Sequence, residues 1–177
     1  NIPIRTDAGR QIRKAFRAES SDNVIAAADY SQIELRVMAH LSGDDNLLQA
    51  FREDRDVHRH TAALVFGVAE EMVTDDMRRT AKVVNFGIMY GAGPFRMAGE
   101  LNISRSEARG IIKAYFDTYP GIREFIDQTL EQARETGGVT TMLGRKRQIR
   151  DIDSQNRNLR EAAERIAINT PVQGTAA

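Results

Sequence analysis

The stretch TDDMRRTAKVVNFGIMY, residues 74–90, decides how the rest of the chain is read. It predicts one helix. Thr74 can cap the start, Asp75 and Asp76 set negative charge against the positive end of the dipole, and no proline or glycine interrupts it until Gly87. Arg78, Lys82, Phe86 and Tyr90 recur at every fourth position. Each step of four turns the side-chain direction by only about 40°, so the four form one slanted stripe, ~18 Å long at ~1.5 Å per residue. The stripe runs from cations to aromatic rings. A ligand with anionic charge at one end and a flat ring at the other, such as a nucleoside triphosphate, matches that order. An amphipathic helix with a solvated basic end and a buried aromatic end matches it too, and the stripe alone favours that plainer reading.

Around this helix lie 177 residues, enough for one ordinary domain or two small lobes sharing a core. With 41% hydrophobic and 28% charged residues, the composition is that of a soluble globular protein. Its 25 basic and 25 acidic residues cancel, so any case for nucleic-acid binding rests on local clusters rather than on net charge. The absence of cysteine excludes disulfides and thiolate metal sites and agrees with a reducing compartment. No apolar run approaches membrane-spanning length, so no membrane contact is expected, and there is no signal-like start. The chain begins without methionine and stops inside a helical pattern, as expected of an excised piece or one half of something.

Before the stripe, residues 1–7 read as extended chain entering a turn at Asp7-Ala8-Gly9, and residues 11–18, QIRKAFRA, as a strand after it. Residues 24–28, VIAAA, read as a short buried strand with Asp29 at its carboxyl end. Ser31-Gln32-Ile33-Glu34 has the form of a capping box opening a helix that Gly43 closes. Helices follow over 46–51 and 56–66, the second stopped by Gly67. After the stripe come helices over 95–101 and 104–119, the latter with a capping box from Ser104 and Glu107, then one from Pro120 to the Gly137-Gly138 stop. Residues 139–143 are strand-like, and 144–150 read as a basic turn and returning strand. A last helix covers 157–168, packing Leu159, Ala162, Ala163, Ile166 and Ala167, and Pro171 kinks or restarts it. The expected class is α/β (α+β) and mostly helical, with short antiparallel strands in a base drawn from both chain ends and a helical lobe inserted between them.

His58 and His60 diverge by about 200° on a helix, which argues against a shared zinc ion. Gly91-Ala92-Gly93 has Arg96 where a dinucleotide fingerprint needs its third glycine and reads as a helix stop. Asp29 is the stronger lead. A carboxylate after an apolar run is costly to bury unless it pairs or binds a cation, and oxygen ligands beside substrate phosphates suit Mg²⁺. A helix-cap role before Ser31 explains Asp29 equally, the capping box alone explains Glu34, and Arg145 to Arg147 reads as a solvated hairpin turn.

Asp29-Tyr30-Ser31-Gln32-Ile33-Glu34-Leu35-Arg36 resembles the first polymerase motif of the family A (DNA polymerase I-like) DNA polymerases. Arg78-Arg79-Thr80-Ala81-Lys82 with Asn85-Phe86-Gly87 and Tyr90-Gly91 resembles their second motif, the fingers helix. Asp56-Val57-His58-Arg59 and the terminal run from Asn169-Thr170-Pro171 through Gln173-Gly174 follow in the same order, so the resemblance covers essentially the whole chain. It implies a right-hand polymerase architecture: a partial palm in residues 1–43, a fingers subdomain in 44–138, and a return to the palm in 139–177. The implied reaction is template-directed addition of a dNTP to a primer 3′ end with two Mg²⁺ ions ~3.5–4 Å apart. The implied roles are Asp29 and the Tyr30 carbonyl on metal; Arg78, Lys82 and His58 on the triphosphate, Lys82 also at the leaving group; and Phe86 on the incoming sugar and base. Gln32 joins the nucleotide set, Glu34 sits where a 2′-hydroxyl would project, and Tyr90 stacks near the template. Arg165, Asn169, Gln173, Asn1 and Arg5 contact primer–template DNA.

The family's third motif, which carries the second metal carboxylate, does not occur in these residues. The expectation is therefore that the chain needs remaining palm and thumb segments, on the same or a separate chain, and is inactive in isolation. A location in the cytoplasm with the nucleoid is implied. Phe86 in place of tyrosine resembles members that discriminate against dideoxynucleotides. Two other readings compete: a non-catalytic DNA- or nucleotide-binding module derived from a polymerase, and a single-subunit RNA polymerase, against which Glu34 argues.

Overall fold

The computed structural model describes residues 6–177. The expected extended stretch at residues 1–5, with Asn1 and Arg5, lies outside the described residues. Contacts divide the chain into two compact units, Asn1–Ser31 and Gln32–Ala177.

In the first unit, helix α1 (Asp7–Arg13) stands where a turn and then a strand were expected. The helix-start signal was present in the sequence: the Thr6 hydroxyl accepts from the Gly9 N–H, and Asp7 lies in the first turn. Residues 24–28 form no strand, and Val24 and Ile25 are 88% and 61% exposed rather than buried. A strand exists only through its ladder to a neighbour. Among the described residues the only sheet lies elsewhere, so nothing pairs with this run.

The second unit is a helical body. Helices α2 (Ile33–Ser42), α3 (Asp45–Arg52) and α4 (Val57–Phe66) lead through a 3₁₀ turn, Glu70–Met72, to α5 (Asp75–Met89), the stripe helix. Then come α6 (Pro94–Leu101), α7 (Arg105–Thr118), α8 (Pro120–Thr136), strands β1 (Gly138–Thr140) and β2 (Lys146–Gln148), and α9 (Arg157–Ala176). The strands form an antiparallel hairpin with Val139 opposite Arg147. Described strand content is thus one two-stranded sheet, less than the α/β label expected.

Several helix ends follow the sequence signals. Thr74 accepts from the Met77 N–H, Ser104 and Glu107 form the reciprocal capping box, and Gly43, Gly67 and Gly137 close their helices in the left-handed region. Two do not. Helix α2 starts one residue later than expected. Its N-cap is Gln32 at φ 53° with no side-chain bond to the helix end, so no capping box forms and Glu34 is released from it. Helix α9 runs straight through Pro171. Proline removes one backbone hydrogen bond, but Pro171 and Val172 are buried, and that burial offsets the loss. Within α9, Ala163 and Ala167 pack as expected, whereas Leu159 and Ile166 are exposed.

The main core brings Leu35 and Met38 of α2, Leu47 of α3, Val57 of α4, Val84 and Met89 of α5, and Ile122 of α8 together, all fully buried. A smaller cluster of Ala133, Val139, Ile149, Ile152, Ala163 and Ala167 seats the hairpin on α8 and α9. Asp44 couples two elements: Oδ1 accepts from the Leu47 N–H at the start of α3, and Oδ2 accepts from the Gly121 N–H of α8 at 3.0 Å. A Cβ at Gly121 would lie 3.0 Å from the Asp44 Cα and the Ser42 carbonyl oxygen, so only glycine lets these backbones meet. Asp44→Ala loses a cap and leaves the Gly121 N–H unpaired. It is expected to destabilise the protein by about 2–4 kcal/mol in denaturant unfolding, whereas Asp45→Ala, at an exposed position, is expected to have a small effect.

Candidate functional site

Helices α4 and α5 pack side by side, and the stripe emerges along that seam. Asp56 caps α4 with Oδ1, which accepts from the His58 and Arg59 N–H groups at 3.1 Å each. Its Oδ2 accepts from Arg78 Nε of α5 at 2.7 Å. Burial pushes the Asp56 carboxyl pKa up, but the Arg78 bond, the Arg59 N–H and the Arg78 charge outweigh it, and the net shift is downward. Four residues along, Lys82 is exposed and enters no ion pair among the described residues. The stripe's basic end therefore carries one cation bound to Asp56 and one free.

The aromatic end is built on the same seam. The ring of Phe86 is half-buried, with its centroid 5.8 Å from that of His58 and 6.2 Å from that of Tyr90, the latter pair stacked at 27°. Tyr90 Oη donates to Glu34 Oε2 at 2.7 Å, across 56 residues of sequence. Burial first, then this bond, push the phenol pKa up to about 12, so Tyr90 stays protonated and keeps donating. The late start of α2 is what leaves Glu34 free to receive it. Gln32, at the head of α2, has a buried side-chain oxygen with no partner.

His58 is 4% exposed, and Nδ1 lies 3.0 Å from Asn85 Nδ2. Burial, with Arg78 and Lys82 nearby, lowers the imidazole pKa to about 4 against a smaller opposing pull from Asp56. The ring is neutral at physiological pH.

Beyond α5, Gly91 at φ 66° turns the chain against α9, where a Cβ would meet Arg165 Cα at 3.2 Å. Tyr90, Arg96, Arg147, Arg165, Asn169 and Gln173 line an open groove of about 540 Å³ there. Arg147 Nη1 donates to Thr170 Oγ1, and Asn169 Nδ2 donates to Gln173 Oε1 at 2.8 Å while its own oxygen is buried without a partner. Three guanidinium groups around amide side chains suit a polyanion whose edges offer donors and acceptors.

The second unit thus gathers Glu34, His58, Arg78, Lys82, Phe86 and Tyr90 along one seam, and Tyr90, Arg165, Asn169 and Gln173 along one groove. Asp29 and Tyr30 belong to the first unit. Both are exposed, Tyr30 at 78%, and Asp29 enters no hydrogen bond or ion pair among the described residues. A free carboxylate next to a backbone carbonyl is an oxygen donor set of the kind Mg²⁺ takes with substrate phosphates. No cluster of three acidic, histidine or cysteine side chains able to hold a metal occurs among the described residues. The residues present therefore fit a share of a Mg²⁺ site, not all of it.

Sequence reasoning missed the two-sided role of Asp56 and the buried partner of His58, Asn85, which is held in turn by Thr61 and, through Thr61, Tyr119. Asp56 was legible as a helix cap. The link to Arg78 was not, because it joins residues on different helices. His58 generates a pH dependence. On unfolding, its pKa returns from about 4 to about 6.5, so the unfolded chain takes up a proton that the folded one refuses as pH falls through that window. Stability is expected to drop on acidification from pH 6.5 to 4, with a His58 share on the order of 2–3 kcal/mol. The difference profile against His58→Gln, from unfolding midpoints at each pH, isolates that share.

The profile of DNA polymerase family A matches residues 1–177. DNA polymerase I of Bacillus caldotenax is 53% identical over 177 residues, covering 100% of this chain and 20% of that protein. For DNA polymerase I of Pseudomonas aeruginosa the figures are 54%, 100% and 19%. The thermostable DNA polymerase I of Thermus aquaticus is 51% identical, with 21% of it covered. The chain spans about a fifth of the length of the curated relatives it matches. Among solved structures, the POL domain of Pol1 from M. smegmatis, in complex with DNA primer-template and dNTP, is similar with a TM-score of 0.85 and 43% identity. That likeness covers 99% of this chain and 31% of that one. A stripe of cations and rings on α5, a groove of arginines beside it and a match along every residue lead to one assignment: the chain belongs to DNA polymerase family A.

Proposed function

We propose that the chain supplies part of the palm and the fingers of a template-directed DNA polymerase, which adds dNTPs to a primer 3′ end. In this reading residues 1–43 and 139–177 are palm, 44–138 are fingers, and the remaining palm and thumb come from further polymerase segments. The observation that carries it is the order of groups along α5: Arg78 held by Asp56, free Lys82, then Phe86 and Tyr90 on one seam. The solved relative with primer-template DNA and dNTP bound supports the same class of substrates. No helix among the described residues is long and apolar enough to cross a membrane, and a place in the cytoplasm beside the nucleoid agrees with a DNA substrate.

The residues divide the work by charge and shape. Lys82 meets the triphosphate directly, being unpaired, and offsets negative charge as pyrophosphate leaves. Arg78 reaches it by sharing or leaving the Asp56 carboxylate. His58 adds a neutral hydrogen-bond donor, and Phe86 packs on the incoming sugar and base. Glu34, with one oxygen engaged by Tyr90, stands against the sugar edge where a 2′-hydroxyl would project, which favours deoxynucleotides over the RNA polymerase reading. Gln32 has an unpaired oxygen for the nucleotide. Arg165, Asn169 and Gln173 take the primer–template near the new pair, and Asn1 and Arg5 its backbone. Asp29 and the Tyr30 carbonyl would hold Mg²⁺, two ions being bound with a further carboxylate from outside this chain. A metal held there would supply positive charge to lower the 3′-hydroxyl pKa and to stabilise the leaving group.

In the full-length polymerase carrying these residues, Lys82→Ala is expected to slow single-turnover incorporation by about 10²–10³-fold while primer–template affinity stays unchanged. A collapse of DNA binding with normal turnover of bound complex would remove Lys82 from the chemistry. Phe86→Tyr is expected to narrow discrimination between dNTP and ddNTP, and equal incorporation ratios in the two enzymes would take Phe86 away from the sugar.

A further inference from the structure

Asn85 lies on α5 between the nucleotide-facing stripe and the core and is completely buried. Its Nδ2 is 3.0 Å from His58 Nδ1 and 3.2 Å from Thr61 Oγ1, and its Oδ1 is 3.4 Å from Thr61 Oγ1. Thr61 Oγ1 in turn lies 2.9 Å from Tyr119 Oη, also buried. An amide nitrogen has two hydrogens and no lone pair. In this orientation both hydrogens are used, one on His58 and one on Thr61, and the threonine hydroxyl proton goes to Oδ1 or to Tyr119. Turning the amide over would put Oδ1 against the imidazole and leave Nδ2 with only a long contact to Thr61. A buried N–H left without an acceptor is costly, which decides the orientation.

It follows that Nδ1 of His58 is an acceptor, and in the neutral ring the proton sits on Nε2. Nε2 has no protein partner among the described residues and is not sealed from solvent. The charged groups around the ring are Asp56 on its own helix and Arg78 and Lys82 on α5.

We propose that Asn85 is a positioning residue that locks His58 in its Nε2–H form, so that the ring offers the dNTP triphosphate a hydrogen and not a lone pair. This rests on the reading of the α5 stripe as the nucleotide site. A neutral N–H beside two cations adds a donor without adding a third positive charge to a buried seam, whereas the opposite tautomer would aim a lone pair at phosphate oxygens. Thr61 and Tyr119 hold the amide in turn, which links the core of the helical body to the proton position on His58.

The test uses the full-length polymerase with ¹⁵N-labelled histidine. In the unsubstituted enzyme His58 is expected to show an unprotonated Nδ1 and a protonated Nε2; a protonated Nδ1 overturns the proposal, whatever the kinetics. Asn85→Asp keeps the shape but sets a carboxylate against the ring, which draws a proton onto Nδ1 and favours the imidazolium. It is expected to show both ring nitrogens protonated, to change the KM for dNTP and to shift the pH profile of incorporation to the higher imidazole pKa. In a His58→Ala background the same substitution is expected to change KM no further. Full multiplication of the two losses would mean that Asn85 acts through packing alone. Should Asn85→Asp fail to fold, the nitrogen spectrum of the unsubstituted enzyme still decides. Failure of the nucleotide reading itself appears separately, as absence of dNTP incorporation by that enzyme.

Discussion

One carboxylate with two jobs holds the site together. Asp56 has an oxygen for the open end of α4 and an oxygen for Arg78, and both are used. Capping alone would fix α4, and an ion pair alone at this exposure, with both side chains 36% exposed, would be worth little. Joined in one group they set where the first turn of α4 stands against α5. His58 is two residues past the cap, and its ring lands beside Phe86 and within reach of Asn85. The geometry of the proposed nucleotide seam therefore descends from a helix end that needed an acceptor.

Much of the fold was legible because helix ends announce themselves locally. Thr74, Ser104 with Glu107, Pro120 and the closing glycines each act within four residues of themselves, and each is found doing so. What local chemistry cannot reveal is where a side chain goes when it leaves its own element. Glu34 carries the signature of a capping box yet pairs with Tyr90, because the helix opens at Gln32 instead. The apolar run at residues 24–28 has a strand's composition but no described neighbour to pair with, and composition alone makes no ladder.

The candidate site divides the same way. Periodicity found the stripe, since Arg78, Lys82, Phe86 and Tyr90 share a face for purely helical reasons. It did not find that Arg78 is held and Lys82 free, nor that a buried amide stands behind His58, because those are facts of packing between α4 and α5. Pro171 is the converse case. The local rule forecast a break, and the burial of Pro171 and Val172 overrode it, keeping Asn169 and Gln173 on one unbroken helix.

The contacts at the two ends of α5 differ in stiffness. At Gly91 the turn after the helix lies against the backbone of α9, and Tyr90 is bonded to Glu34, contacts that involve main chain and a half-buried ring. At Arg78 one tie is a half-exposed ion pair, weakened by salt, beside the apolar contacts of Ala81 and Met77 with Ala62, Ala63 and Val73. Salt would therefore loosen the ion pair at the basic end of α5 while leaving the Gly91 backbone contact at the other end in place.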